Sequence, residues 1–348
     1  MDRWLKQACR AAAALPLMLL LLLLSTLALV QPARSEDAST CHAHNLLPEF
    51  EKTEPEAFAR VQAEARQTPN GNSIFWKLEK PGREPSWLLG TMHLTDPRVT
   101  AMPPAAREAF QAADTVVLES DEILDPKKAA FAILAKPEFS TFTDGSTLTG
   151  LLSAEDVATI DAALKPKGLS VKGLNRMKPW LISAMLALPG CEMSRKGQGG
   201  LFLDMKLAVD AAKAGKEVLG VETLAEQFEA MNAVPIDVHL KSLVSVAKAK
   251  DQINDVMETM IDLYLNGQIG MITPTLRAAA PDGTEATPFE QRMIVDRNKV
   301  MAQRGGPILD NGNVFMAVGA LHLPGKDGLI ELLRQQGFTI TPVASTPG

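Results

Sequence analysis

Two stretches decide how this chain folds: Trp87-Leu88-Leu89-Gly90-Thr91-Met92-His93-Leu94 and Met316-Ala317-Val318-Gly319-Ala320-Leu321-His322-Leu323. Each is an apolar run followed by Gly, two residues, His and Leu. A short apolar run without alternation reads as a strand buried on both faces, the kind found in a parallel sheet covered by helices. The glycine lets the backbone turn sharply as it leaves the strand, and the histidine then folds back over the sheet edge.

Two glutamates are framed in a matching way. Val116-Val117-Leu118-Glu119-Ser120 and Leu219-Gly220-Val221-Glu222-Thr223 each end an apolar strand with a carboxylate and a hydroxyl residue. The chain therefore runs His then Glu in its first half, and Glu then His in its second.

Around these anchors the pattern alternates strands with helices. Ser73 to Lys77 and Ser86 to Leu89 read as a hairpin turned through Lys80-Pro81-Gly82-Arg83. Pro103 to Ala113 reads as a helix leading into a strand at Thr115 to Glu119, so this strand should run parallel to the one before the helix. Asp125 to about Leu188, Leu203 to Ala214 and Ala225 to about Asn266 read as helical. Val218 to Val221 is a strand. Thr287-Pro288-Phe289-Glu290 caps a helix running through Arg304, and Ala278 to Gly283 and Pro307 read as loops. Strand Val314 to Val318, helix Lys326 to Gln336 and strand Phe338 to Val343 close the chain. The economical architecture is one α/β sheet, mixed in strand direction, with helical insertions over residues 41–343.

Composition supports a globular body. Of 348 residues, 46% are hydrophobic and 22% charged, which leaves no room for disorder as the main state. The net charge of -6 gives no field that would gather nucleic acid, and no local basic patch supplies one.

The first thirty-five residues concern delivery. Arg3, Lys6 and Arg10 precede an uncharged run from Ala11 to Val30, and Ala33-Arg34-Ser35 offers small residues at a processing site. A cleaved signal peptide is favoured over a retained membrane anchor; either places the body outside the cytoplasm, periplasmic or secreted, with membrane contact only through this segment if it is uncleaved. Cys41 and Cys191 then remain as a single pair in an oxidising compartment, where a disulfide between them is expected.

If the four strands are neighbours, roughly 4.8 Å apart, His93, Glu119, Glu222 and His322 converge beyond their carboxyl ends. Two imidazoles and two carboxylates suit a first-row divalent cation, Mn²⁺, Co²⁺, Fe²⁺ or Zn²⁺, which acidifies water and polarises a carbonyl. Arg297 and Asn298 are placed to steady developing negative charge, although Arg297 would equally serve as a salt bridge to Glu119 or Glu222 that fixes the fold. Asp204, in the first turn of a helix, is kept as an outer support or substrate contact. His42, His44 and His239 read as surface residues. No Gly-x-Ser-x-Gly, His-Glu-x-x-His or phosphate-binding loop occurs, and Cys191 is better explained as a disulfide partner than as a nucleophile.

These residues resemble the TraB/PrgY/GumN family. The resemblance is carried by the Gly90 and Gly319 motifs with their histidines, Glu119, Asp204 before Gly215-Lys216, Glu222-Thr223 with Glu226-Gln227, Arg297-Asn298 and the close from Gly319 to Gly325. The opening Cys41-His42-Ala43-His44-Asn45-Leu46-Leu47 is similar to secreted GumN-like bacterial members. The resemblance implies an α/β fold of two similar halves and, through the divalent-metal-dependent TIKI proteases, a metal-dependent hydrolase acting on peptide or amide bonds. Through the PrgY-like members it also implies an alternative, a non-catalytic protein that binds or sequesters peptides. A small ester is a third substrate class.

Overall fold

The computed structural model describes residues 41, 43–279 and 288–344. The leader at 1–35, Cys9, His42, the cap at Thr287 and most of the expected loop at 278–283 lie outside the described residues. By their contacts, Cys41 and Gly190–Gly200 form one small unit, and the remaining described residues form the other. In the small unit Cys41 and Cys191 are joined by a disulfide, with Cα atoms 5.5 Å apart. Among the described residues no helix is long and apolar enough to cross a membrane.

The larger unit is built on a six-stranded mixed sheet. Its strands are β1 (Phe75–Glu79), β2 (Ser86–Thr91), β3 (Thr115–Leu118), β4 (Glu217–Gly220), β5 (Val314–Gly319) and β6 (Thr339–Pro342), in the spatial order β4-β3-β5-β2-β1-β6. β2, β5, β3 and β4 run parallel, and β1 is antiparallel to both β2 and β6. The expected parallel relation of β2 and β3 holds, but β5 lies between them. A strand from late in the chain thus fills the space its local sequence neighbours leave open.

The helices used below are α1 (Pro104–Ala112), α2 (Ala154–Leu164), α3 (Pro179–Ala187), α4 (Leu203–Lys213), α5 (Leu224–Asn232), α6 (Ile236–Lys248), α7 (Ile253–Leu265), α8 (Asp296–Leu309) and α9 (Leu329–Gln335). They cover both faces of the sheet, which explains why β5 is apolar throughout. Val314, Met316 and Val318 pack with residues of α7, α8 and α9, including Leu263, Met301 and Leu333. Phe315 and Ala317 pack on the other face with Phe110 of α1 and Leu203, Leu207 and Ala211 of α4. Burying a side chain such as Phe315 contributes on the order of 1.5–3 kcal/mol, so a polar residue at any β5 position would be costly. A separate core, with Ile160, Leu164, Ile182, Leu186 and Leu243, holds α2, α3 and α6 together as the helical insertion.

Pro307 lies inside α8, which corrects its reading as a loop. The helix runs on through Gly305 and Gly306 because packing overrides propensity there. A Cβ at Gly305 would come 3.2 Å from Met316 Cε, and one at Gly306 would collide with Gln336. The two glycines let this turn press against β5 and the end of α9 without displacing the Met316 and Gln336 side chains.

Candidate functional site

The four parallel strands finish along one sheet edge. Thr91 pairs with Gly319, and Leu118 pairs with both Ala317 and Gly220, so the residues that follow emerge side by side. This is the edge at which parallel α/β sheets hold ligands.

Both motif glycines answer to close approach. A Cβ on Gly90 would sit 3.0 Å from the Cα of Ala320, so the two Gly-x-x-His turns are pressed against each other. A Cβ on Gly319 would sit 3.1 Å from Glu119 Oε1. Instead the Gly319 amide donates to that oxygen at 2.8 Å.

Arg297 joins the two glutamates. Its Nη2 lies 2.7 Å from Glu119 Oε2 and 2.7 Å from Glu222 Oε2. Its Nε donates to both Glu222 oxygens at 3.1 Å. Gln227 of α5 adds a donor to Glu119 Oε2 at 3.2 Å and to Glu222 Oε2 at 3.5 Å. Burial pushes the Glu222 carboxyl up, Arg297 partly offsets that, and the charge of Glu119 adds to it. Burial also opposes ionisation of Glu119, yet His322, Arg297, His93 and the Gly319 amide together hold its carboxyl down at about 2.

Asn298, next to Arg297, fixes His322. Its amide nitrogen donates to the Asp327 carbonyl at 2.8 Å, which sets the amide orientation, and Oδ1 then accepts from His322 Nδ1 at 2.7 Å. With the proton on Nδ1, the Nε2 of His322 presents a lone pair, 3.7 Å from Glu119 Oε1. Burial lowers this histidine to about 4, against the pull of Glu119, so the ring is neutral at ordinary pH. A π turn over Gln291–Val295 immediately precedes this pair of residues. Widened turns of this sort recur where a helix carries functional side chains.

His93 stands across the edge and is about half exposed, at 55%. Its ring leans on Phe202, and its Nε2 is 3.6 Å from Asp204 Oδ1. Atoms packed against the ring disfavour its charge, but the neighbouring Asp204 carboxylate, helped by Glu119, raises it to about 9. Thr91 Oγ donates to Asp204 Oδ1 at 2.8 Å, whereas Asp204 Oδ2 is buried without a partner.

Local sequence did not point to three contributors. Tyr264 of α7 donates from its hydroxyl to the Gly90 carbonyl at 2.9 Å. It is the chain's sole tyrosine, and that rarity inside an apolar helix was the available signal. Thr91 lies within the first Gly-x-x-His motif and Gln227 within the family resemblance, but local sequence singles out neither as a contact of the site. His239 is buried, not at the surface as its sequence suggested, with Nε2 donating to the Met231 carbonyl at 2.9 Å. Asp237 and Lys241 share the wet face of α6, and His239 is about 200° round the helix from Asp237.

Residues 74–342 match the profile of the TraB/PrgY/gumN family. The chain belongs to this family. Similar curated members include "Metalloprotease TIKI2" of Danio rerio, 24% identical over 77% of this chain and 60% of its own length. "Metalloprotease TIKI homolog" of Nematostella vectensis is 23% identical over 78% of this chain and 67% of its own. A bacterial member, "Uncharacterized protein YbaP" of Shigella flexneri, is 23% identical over 76% of this chain and 94% of its own. The chain thus spans about three fifths of the Danio rerio TIKI2 protein and nearly all of the bacterial one. No solved structure matches it.

Metal dependence in such relatives raises the question of fit. Among the described residues no three His, Cys, Asp or Glu groups stand together as a ready ligand cluster. The donors come instead as two pairs, His93 with Asp204 at 3.6 Å and His322 with Glu119 at 3.7 Å. Two ligands each ~2.1 Å from one ion at a tetrahedral angle are ~3.4 Å apart, so both spacings suit ligands to a cation better than a direct hydrogen bond. The bare His322 Nε2 and the orphaned Asp204 oxygen point the same way. In donor chemistry the edge fits a first-row divalent ion.

Proposed function

We propose that this family member is a metal-dependent hydrolase that acts outside the cytoplasm on peptide or amide bonds. His93, His322 and Glu119 would hold the divalent ion, with Mn, Co, Zn and Fe all suited to the donors. When bound, such an ion supplies a Lewis acid for a carbonyl and acidifies a neighbouring water. Glu222, expected from its sequence setting beside those ligands, has both oxygens on Arg297. In this reading it is the proton acceptor, because burial makes it the more basic of the two glutamates. As Glu222 takes a proton its hold on Arg297 weakens, and guanidinium N–H groups become available to the oxyanion of the tetrahedral intermediate. Asn298 keeps the His322 tautomer in place and does not touch the substrate.

The observation that carries this reading is the open His322 Nε2 beside an ionised Glu119, at the edge where His93 also emerges. The test is elemental analysis of the purified protein followed by cleavage of a peptide library with and without chelator. Cleavage that chelator abolishes and Mn²⁺ or Co²⁺ restores supports the proposal. A metal-free protein whose stability and ligand binding survive His93→Ala and His322→Ala overturns it. Tight peptide binding without cleavage would support the sequestering alternative, and turnover of small esters alone would move the substrate class.

A further inference from the structure

We infer that Asp204 is the second carboxylate ligand of the ion site, bound through Oδ2 alongside His93, and that Glu222 is not a ligand. The inference rests on the metal reading above and names a residue that reading leaves out.

The geometry separates the three carboxylates of the edge by how much of each is already committed. Glu222 gives both oxygens to Arg297 and also faces Gln227. Glu119 gives Oε2 to Arg297 and Gln227, and Oε1 to the Gly319 amide, with His322 Nε2 close by. Asp204 gives Oδ1 to the Thr91 hydroxyl and leaves Oδ2 with nothing, although the residue is only 4% exposed. A buried carboxylate oxygen is rarely left unmatched, and an orphan beside an imidazole calls for a third group.

Local structure holds the Asp204 carboxylate at the edge. Asp204 opens α4, which packs Leu203 and Leu207 under the sheet face carrying Phe315 and Ala317. Thr91, the last residue of β2, holds the carboxylate by its other oxygen. The same strand end leads into His93, whose Nε2 is 3.6 Å from Asp204 Oδ1, so the free Oδ2 belongs to a carboxylate already beside the imidazole. One turn therefore fixes both donors, as a neighbouring hydrogen bond orients a metal ligand. The first turn of α4 accounts for an acid at this position, but not for the unmatched oxygen.

The experiment uses the mature protein and Co²⁺ or Mn²⁺ alone as probe. Co²⁺ titration followed by visible absorption and calorimetry is compared for wild type, Asp204→Asn and Glu222→Gln. Asn keeps an acceptor for Thr91 and removes the anionic oxygen. We expect Asp204→Asn to weaken Co²⁺ at least 100-fold and to change its ligand-field bands, with Glu222→Gln within about 3-fold of wild type. In parallel, wild-type crystals soaked in MnCl₂ should give an anomalous peak within about 2.2 Å of Asp204 Oδ2, a result that needs no variant to fold. Equal affinity in Asp204→Asn, or a peak held by Glu222 with Asp204 outside it, overturns the inference. Wild-type protein that binds no ion defeats the metal reading itself, a result distinct from either of these.

Discussion

Asn298 Oδ1 accepts the Nδ1 proton of His322 at 2.7 Å, and that one contact decides which face of the imidazole is chemically available. Asn298→Ala leaves the buried His322 N–H and the part-buried Asp327 carbonyl without their partner. Two lost partners of this kind should destabilise by about 2–4 kcal/mol, readable by urea denaturation. The ring should also become free to exchange tautomers, which ¹⁵N shifts of labelled His322 would report. An unchanged Nδ1-protonated signature in the variant would show that something other than Asn298 sets it.

Arg297→Met should cost about 3–5 kcal/mol at neutral pH, because it leaves two buried carboxylates facing one another. The sign with pH is specific. Burial raises the folded-state affinity of Glu222 for a proton, so its contribution is fully present below the unfolded value of 4.5 and is lost as pH rises. Without Arg297 to offset it this loss grows, and the gap between variant and wild type should narrow as pH falls from 7 toward 4.5. A constant gap would mean that the Glu119 and Glu222 charges are screened from each other.

His239 predicts a weakness at mildly acid pH. Burial lowers its affinity for a proton, partly offset by the Met231 carbonyl, so the unfolded chain takes up a proton before the folded one does. Stability from this group is present above its ordinary value of 6.5 and declines as pH drops below it. His239→Gln should flatten that part of the stability profile between pH 7 and 5. A profile unchanged by the substitution would assign the slope to another group.

The two motif glycines should fail differently. Gly90→Ala pushes a methyl toward the backbone of Ala320, which cannot swing aside, so about 1–3 kcal/mol of overpacking should appear in thermal unfolding. Gly319→Ala meets a carboxylate oxygen of Glu119, which can give way. Its stability should change less, and the measurable effect should be a weaker affinity for Co²⁺. Equal losses of stability would mean that Glu119 is as rigid as backbone.

Tyr264→Phe removes a single donor to the Gly90 carbonyl and should cost about 1 kcal/mol. Because Gly90 opens the turn that carries His93, the same substitution should broaden the His93 ring signals in NMR spectra. An unperturbed His93 would confine Tyr264 to packing.

Much of the edge was legible because its signals are local. An apolar run ended by Gly or Glu marks a strand exit without knowledge of its neighbours, so β2, β3, β4 and β5 and the four side chains beyond them could be read directly. Their order could not. That β5 parts β2 from β3 depends on contacts between Trp87 and Phe315 and between Val116 and Phe315, which lie more than two hundred and just under two hundred positions apart. Pro307 and His239 misled for a related reason. Pro307 follows its helix, which packs on β5 through Gly305, and His239 finds its acceptor in Met231 on the preceding helix. For Asp204 a helix start explains an acid there, and only the finished environment reveals its unmatched oxygen.

The late placement of β5 has a temporal side. Until Val314–Gly319 is available, β2 and β3 face a gap one strand wide, about 9.6 Å across, and the histidine and glutamate halves have nothing to hold them in line. A growing chain that has made every residue up to Leu309 still lacks the wedge that brings its reactive groups together. The last two strands complete the sheet, β5 between β2 and β3 and β6 outside β1.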